Sequence, residues 1–243
     1  MKHSLTFSCT LLLLAAASVL NAQTKTWSLG LSGGVSMPLG SYQDYNSRAL
    51  GSVSTGGHVG VDLHYFLHKN ISIGLSATHF LNPVDANKTA EGIWNEHKTA
   101  ADVHVTATPY QLTTVLLGIS PQTGLLFGRL SLVAGLSGGV LVAQSPKFTQ
   151  EIALSSPVHQ TIEGAVSQAF AVQGEAGLQF RLFSNLRLGL FANYLTSKPS
   201  FDFVRSDLAN SPTESVEQHV QTVNAGLKLL YRMEKGAASG AKR

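Results

Sequence analysis

The feature that most constrains this chain is a period-two alternation of apolar with small or polar residues, repeated in segments of about ten residues. Residues 27–37 put Trp27, Leu29, Leu31, Val35 and Met37 on one face and Ser28, Gly30, Ser32, Gly34 and Ser36 on the other. Side chains of a strand point alternately to its two faces, so this pattern describes a sheet with one apolar side. The same reading holds at 58–67, where Val59, Val61, Leu63 and Tyr65 oppose His58, Gly60, Asp62 and His64. It holds at 71–81, 170–182, 186–194 and 222–232 as well. Residues 129–143 alternate acceptably. Residues 106–119 alternate poorly, because Val115-Leu116-Leu117 is apolar on both faces, and a strand is expected there from position and β-propensity. The chain therefore carries eight expected strands.

The connections add independent information. His68-Lys69-Asn70 and Phe183-Ser184-Asn185 are short, and Ser120-Pro121-Gln122-Thr123-Gly124 falls within a somewhat longer link. Four other connections, at 40–56, 82–105, 144–168 and 195–218, are long and polar. Short and long links alternate strictly, as they do in an up-and-down barrel with tight turns at one end and loops at the other. Charged residues make up only 13% of the sequence, against about 25% in soluble domains. A surface so poor in charge fits a barrel whose apolar face meets lipid. The expected fold is all-β, an eight-stranded antiparallel up-and-down transmembrane β-barrel.

The N-terminal segment points the same way. Residues 1–22 join Lys2 and His3 to the apolar run Leu11–Leu20 and end at Asn21-Ala22, which reads as a secretory signal cleaved after Ala22. A retained anchor helix is the alternative. Cys9 precedes the apolar run, which argues against a lipoprotein, and as the one cysteine it would leave with the signal. The expected division is a signal peptide at 1–22, a barrel at 23–233 and a short basic periplasmic tail at 234–243. No later stretch reaches about 18 uninterrupted apolar residues, so no spanning helix is expected. Seventeen basic residues against 14 acidic ones give too weak an excess to argue for nucleic acid.

Facing assigns roles to particular residues. The inward charges are Asp62, Glu175, Arg129, Arg181, Arg187, Lys228 and Arg232, of which Asp62, Glu175, Arg181, Arg187 and Lys228 are expected to form a lumenal charge network. Charges with little water around them must be paired. The sharper reading of the basic excess is a narrow anion-selective path. Outward aromatics are expected to form girdles at the two membrane interfaces. Trp27, Tyr65, Phe180 and Tyr231 fall at the periplasmic rim and Tyr110, Phe170 and Tyr194 at the outer rim.

The segment Gly57–Leu67, its short turn and Ile71–Leu75 resemble small OmpA-like or PorT-like barrel proteins of Bacteroidetes type. Asn224, Gly226, Leu229 and Tyr231 resemble the assembly signal of outer-membrane barrels, although here Arg232–Arg243 follow the aromatic. The resemblance implies an outer-membrane location. It implies as partners outer-membrane lipid and lipopolysaccharide, the barrel assembly machinery and a further envelope protein. It carries no peptidoglycan-tethering role, because no such domain follows the barrel.

No cofactor or metal is expected, since no His/Asp/Glu spacing fits a metal site. An enzyme is not expected. His79 is the one candidate for a lipid A-modifying site, and it lacks the His-x-Ser-Asn arrangement of the deacylases. Trp94, in a loop, reads either as a binding aromatic or as a packed loop hydrophobic, and the packed reading is preferred. The functional expectation is a structural or interaction barrel with its lumen closed by side chains and its loops as binding surface.

Overall fold

The computed structural model describes residues 26–44, 52–96, 102–125, 129–153, 158–204 and 213–233. The expected signal and tail lie outside them. Eight strands form a closed antiparallel barrel: β1 (Thr26–Pro38), β2 (Gly56–His68), β3 (Ile71–Asn82), β5 (Tyr110–Leu125), β6 (Leu130–Gln144), β9 (Val166–Arg181), β10 (Leu186–Ser197) and β13 (Val220–Met233). Each barrel strand pairs with its neighbours in sequence, and β13 closes on β1 from Trp27↔Met233 to Pro38↔Thr222. The remaining elements are a helix α1 (Ala86–Glu96), a sheet of β4 (Asp102–Ala107), β7 (Phe148–Ala153) and β8 (Val158–Ile162), and a hairpin of β11 (Ser200–Val204) with β12 (Thr213–Glu217). Among the described residues, no helix is long and apolar enough to cross a membrane.

Closure follows from the alternation. A sheet in lipid has no water to satisfy its edges, so its first and last strands must pair. The seam between β1 and β13 is tight at Gly34↔Gly226, which face each other in register. A Cβ on Gly226 would collide with the Gly33 carbonyl oxygen, and one on Gly34 with that of Ala225. Glycine is required there by close backbone approach.

The barrel wears its apolar side outward. Leu29, Leu31, Val59, Val61, Leu75, Leu117, Leu136, Leu190, Leu227 and Leu229 are all exposed, while Ser28, Ser36, Asp62, Ser72, Asn193, Asn224 and Lys228 are buried inside.

Three expectations about the connections change. The link expected around Ser120–Gly124 is strand, because β5 runs on to Leu125 and pairs with β6 through Gln122↔Val133 to Leu125↔Leu130. Pro121 is tolerated because it faces Ile71, the first residue of β3, where the ladder of that pair ends. At the other end, residues 106–107 belong to β4, and Thr108-Pro109 separate them from β5. His68 belongs to β2 after a register shift between Phe66 and His68, leaving Lys69-Asn70 as the turn.

The long connections are not simply polar loops. Each carries apolar residues that fold back over the barrel end: Tyr42 from 40–56, Ile93 and Val105 from 82–105, Phe148 from 144–168, and Phe201 from 195–218. With Phe80, Tyr110, Leu112, Leu141 and Leu195 of the strands they make one buried cluster. Pairing alternates between faces, so the outer ends of β3, β5, β6 and β10 direct these side chains into the barrel.

Facing can be tested on β10. Leu190 is exposed on the outer face, so Leu190→Arg near mid-membrane is expected to cost about 2–4 kcal/mol. A Cβ on inward Gly189 would meet its neighbours at ordinary contact distances, the nearest being the Lys228 carbonyl oxygen at 3.4 Å. Gly189→Ser is expected to cost much less. Urea unfolding of both variants in lipid vesicles measures the difference, and equal costs would refute the facing.

Candidate functional site in the barrel lumen

Midway along the lumen, alternation on three strands sends three charged side chains to one point. Lys228 of β13 lies with its Nζ 3.4 Å from Asp62 Oδ1 and 3.1 Å from Glu175 Oε1. The Asp62 and Lys228 side chains are almost fully buried, and Glu175 is somewhat more open. Lys228 donates to both Glu175 oxygens, at 3.1 and 3.2 Å. One cation thus bridges two carboxylates across the barrel, from β2 and β9. Neither carboxylate is a sequence neighbour of Lys228, so the contact exists only when the barrel is closed.

Aromatic rings frame this group. Lys228 Nζ sits 5.0 Å from the centre of the Phe191 ring, a distance at which the ring face attracts the cation. His58 lies between Phe80 and Phe191, with centroids 5.5 and 5.7 Å away. On the loop side of the triad, Asn224 Nδ2 donates to Asn193 Oδ1 at 2.7 Å and to Thr222 Oγ1 at 3.1 Å. Asn82, fully buried, donates to the Ser36 and Ser54 carbonyls at 3.2 and 3.3 Å, so β1 and the segment leading into β2 are tied to β3. Above these lies the apolar cap, where burial holds the Tyr42 phenol well above its usual pKa.

The expected network divides. Asp62, Glu175 and Lys228 meet. Arg187 is buried lower on β10, and Arg181 lies opposite it at the exposed end of β9, so these two stand at the turn end and not in the triad. Arg129, expected to face inward, is exposed immediately before β6 at the turn end, where its carbonyl accepts from the Arg181 N–H at 2.9 Å. Arg232 packs over Phe66, with Cζ 4.5 Å from the ring centre.

The aromatic girdles also divide. At the turn end Trp27, Phe180 and Tyr231 are exposed, and Tyr65 packs at 4.8 Å against Trp27. At the loop end Phe170 and Tyr194 are exposed. Tyr110 is a correction: it is 0% exposed, faces inward and meets Tyr42 edge-on at 5.5 Å. The outward expectation fails because Val115-Leu116-Leu117 is apolar on both faces, so alternation on β5 does not fix the facing. Trp94 is a second correction, since it is 47% exposed on α1 while its neighbour Ile93 packs into the cap.

Of the assembly-signal residues, Leu229 and Tyr231 face outward and Asn224 and Gly226 inward. Gly226 has a structural reason of its own at the seam. His79 faces outward, within 3.0 Å of Thr113 Oγ1, with no acid or serine beside it in that contact. Alternation puts His58 and Asn193 on the lumenal face, whereas Phe191, 8% exposed, is a lumen-filling partner that the sequence reading did not mark. The register Asn193↔Glu175, once known, would have drawn attention to that level.

No protein-family model matches the sequence, and no curated protein matches it. Solved structures do resemble it. OprG from Pseudomonas aeruginosa aligns at 13% identity over 88% of this chain and 98% of that one, with a TM-score of 0.48. Ail, the attachment invasion locus protein of Yersinia pestis, aligns at 13% identity over 87% and 100%, with a TM-score of 0.47. A major outer membrane protein from Thermus thermophilus aligns at 14% over 87% and 100%, with a TM-score of 0.45. At these scores the fold rests on the strand pairing itself and not on the likenesses.

Lys228→Met would leave two carboxylates buried together without their cation. Removing one partner of a buried ionic group costs about 3–5 kcal/mol, less where lumenal water reaches it. Glu175→Gln leaves the Asp62–Lys228 pair in place and is expected to cost clearly less. A double-mutant cycle over Glu175 and Lys228 should show coupling. Additive costs would show that the 3.1 Å contact carries no stability.

Proposed function

We propose that this protein is an integral outer-membrane β-barrel with a structural or interaction role, its lumen closed by its own side chains and its loop-end cap the surface it offers to partners. The observation that carries the reading is the pairing of an apolar exterior with a sealed interior. The outer belt, with Leu31 59% and Leu136 63% exposed, is stable only against lipid, and a closed antiparallel barrel is the form in which strands cross an outer membrane. Inside, Tyr42, Tyr110, Leu112, Leu141 and Leu195 are 0% exposed, and this buried apolar cluster supports a lumen closed at the loop end.

The alternation of turns and loops supports an orientation with the turn end periplasmic and the cap outside. Outer-membrane lipid and lipopolysaccharide are then the surroundings of the belt. The barrel assembly machinery is the partner that Leu229 and Tyr231, on the outer face of the last strand, would meet. Trp94 and the α1 surface belong to the cap, where a second envelope protein or an external ligand would dock. The finer kinship with PorT-like proteins of Bacteroidetes rests on the residues of β2 and β3 alone.

A small anion-selective channel is the second reading, favoured by Arg181, Arg187 and Arg232 at the turn end. The apolar cap and the two carboxylates held by Lys228 oppose it. A lipid A-modifying enzyme has only His79, whose contact is Thr113.

Two measurements test the proposal together. The protein is expected in the outer-membrane fraction with a gel mobility that changes on boiling, as closed barrels resist detergent until heated. In planar bilayers it is expected to show no ion conductance above background. Recovery as a soluble periplasmic protein would overturn the membrane reading, and steady anion-selective conductance would replace the closed lumen with the channel.

A further inference from the structure

Beyond the barrel, at the loop end, β4, β7 and β8 form a sheet that joins two separate connections. β4 comes from the link after β3, whereas β7 and β8 come from the link between β6 and β9. The two faces of this sheet differ. Val105, Phe148 and Ile162 are buried in the cap, while His104 and Thr106, on either side of Val105 in the chain, are exposed. Pairing carries the exposed face across the sheet, with Thr106 opposite Thr149 and Thr149 opposite Thr161. Two residues further along each strand the same face continues. There His104 stands opposite Glu151, and Glu151 stands opposite His159. Glu151 is itself exposed.

Register alone makes this row, since His104 belongs to one connection and Glu151 and His159 to another, so no local spacing announces it. Adjacent strands run about 4.8 Å apart, which sets His104 and His159 about 10 Å apart at the backbone, astride Glu151. Two histidines at that separation are within reach of one ion, because each side chain is long and metal–nitrogen bonds add about 2 Å on either side. Imidazole nitrogen suits zinc, copper and nickel, whereas oxygen ligands suit magnesium and calcium. Glu151 has a partner within the protein, and ligation is therefore assigned to the two histidines. A carboxylate beside metal-bound imidazoles serves by orienting them and raising their basicity. Among the described residues no ready-made group of three metal-ligating side chains is gathered. His104 and Glu151 are placed by their exposed side chains, and His159 by register alone.

We propose that this row is a site for one divalent transition-metal ion of the zinc or copper class, ligated by His104 and His159 with Glu151 between them. Solvent completes the shell on the open face of the sheet. Such an ion clips β4 to β8 across β7, and so ties the connection after β3 to the one between β6 and β9. An ion held by the folded sheet and not by the unfolded chain stabilises that sheet by mass action. The site lies outside the barrel wall and requires neither the lumen nor a particular orientation in the membrane, so it goes beyond the functional reading given above.

The test uses the folded, tag-free barrel in a non-ionic detergent, freed of metal with EDTA. Zinc chloride is titrated by calorimetry, and one saturable equivalent per chain is expected. In a second arm one equivalent of copper(II) is added and its electron paramagnetic resonance is read for nitrogen ligands. Coupling to two imidazole nitrogens is expected in the unaltered protein, and to one in His104→Ala and in His159→Ala. Each of these variants is expected to lose at least about tenfold in zinc affinity, and the double variant to lose the saturable equivalent, with the boiling-dependent gel shift retained. His79→Ala, on the outward side of β3 beside Thr113, is expected to change nothing. Absence of saturable zinc binding overturns the proposal, as does wild-type zinc affinity in either single histidine variant.

Discussion

Everything in this structure depends on the hydrogen bonds between the first and the last barrel strand. An open eight-stranded sheet would expose two rows of N–H and C=O groups, and hydrocarbon offers those groups nothing. The twelve paired positions from Trp27↔Met233 to Pro38↔Thr222 remove both edges at once. Close approach at Gly34 and Gly226 is what that seam requires, so the same glycine that resembles part of an assembly signal is also needed for closure.

Closure then creates the interior problem. Eight strands leave a lumen just wide enough to be filled by side chains, and this one is filled in three zones. At the loop end, aromatic and aliphatic residues from strands and loops make a buried apolar cap. In the middle, Lys228 balances Asp62 and Glu175 against the face of Phe191. At the turn end Arg187 and Arg232 line the wall with serine and glutamine side chains. The zones differ because each meets a different medium. The cap gathers apolar groups from four long connections, whereas the turn end has only short links and is walled by the strands themselves.

The barrel was legible because its strongest signal, period-two alternation, is a local property: Leu29-Gly30-Leu31-Ser32 needs no partner to be read. Strand number and order followed from that signal and from link lengths. Where alternation failed, so did facing: Val115-Leu116-Leu117 is apolar on both sides because Leu116 fills the lumen while its neighbours meet lipid. Tyr110 took its wrong face from that strand. The cap was hidden for another reason. Tyr42, Phe148 and Phe201 lie among polar residues in long connections, and only tertiary structure gathers them. The triad was half legible. Facing put Asp62, Glu175 and Lys228 inside, but the stagger of strands around the barrel decides which levels coincide, and sequence spacing does not contain it. Arg181 and Arg187 share the inward face and miss the triad for that reason.

The most direct test of the central claim, a closed barrel with lipid outside and packed side chains inside, is spin-label accessibility along one strand. Cys9 is the one cysteine of the sequence, so single cysteines at Leu188, Gly189, Leu190, Phe191, Ala192 and Asn193 of β10 can carry the label once Cys9 is replaced. In lipid vesicles, labels at 188, 190 and 192 are expected to relax with membrane-dissolved oxygen, and labels at 189, 191 and 193 to be shielded from it. Loss of that period of two, or equal access for a water-soluble relaxing agent at all six positions, would contradict the account.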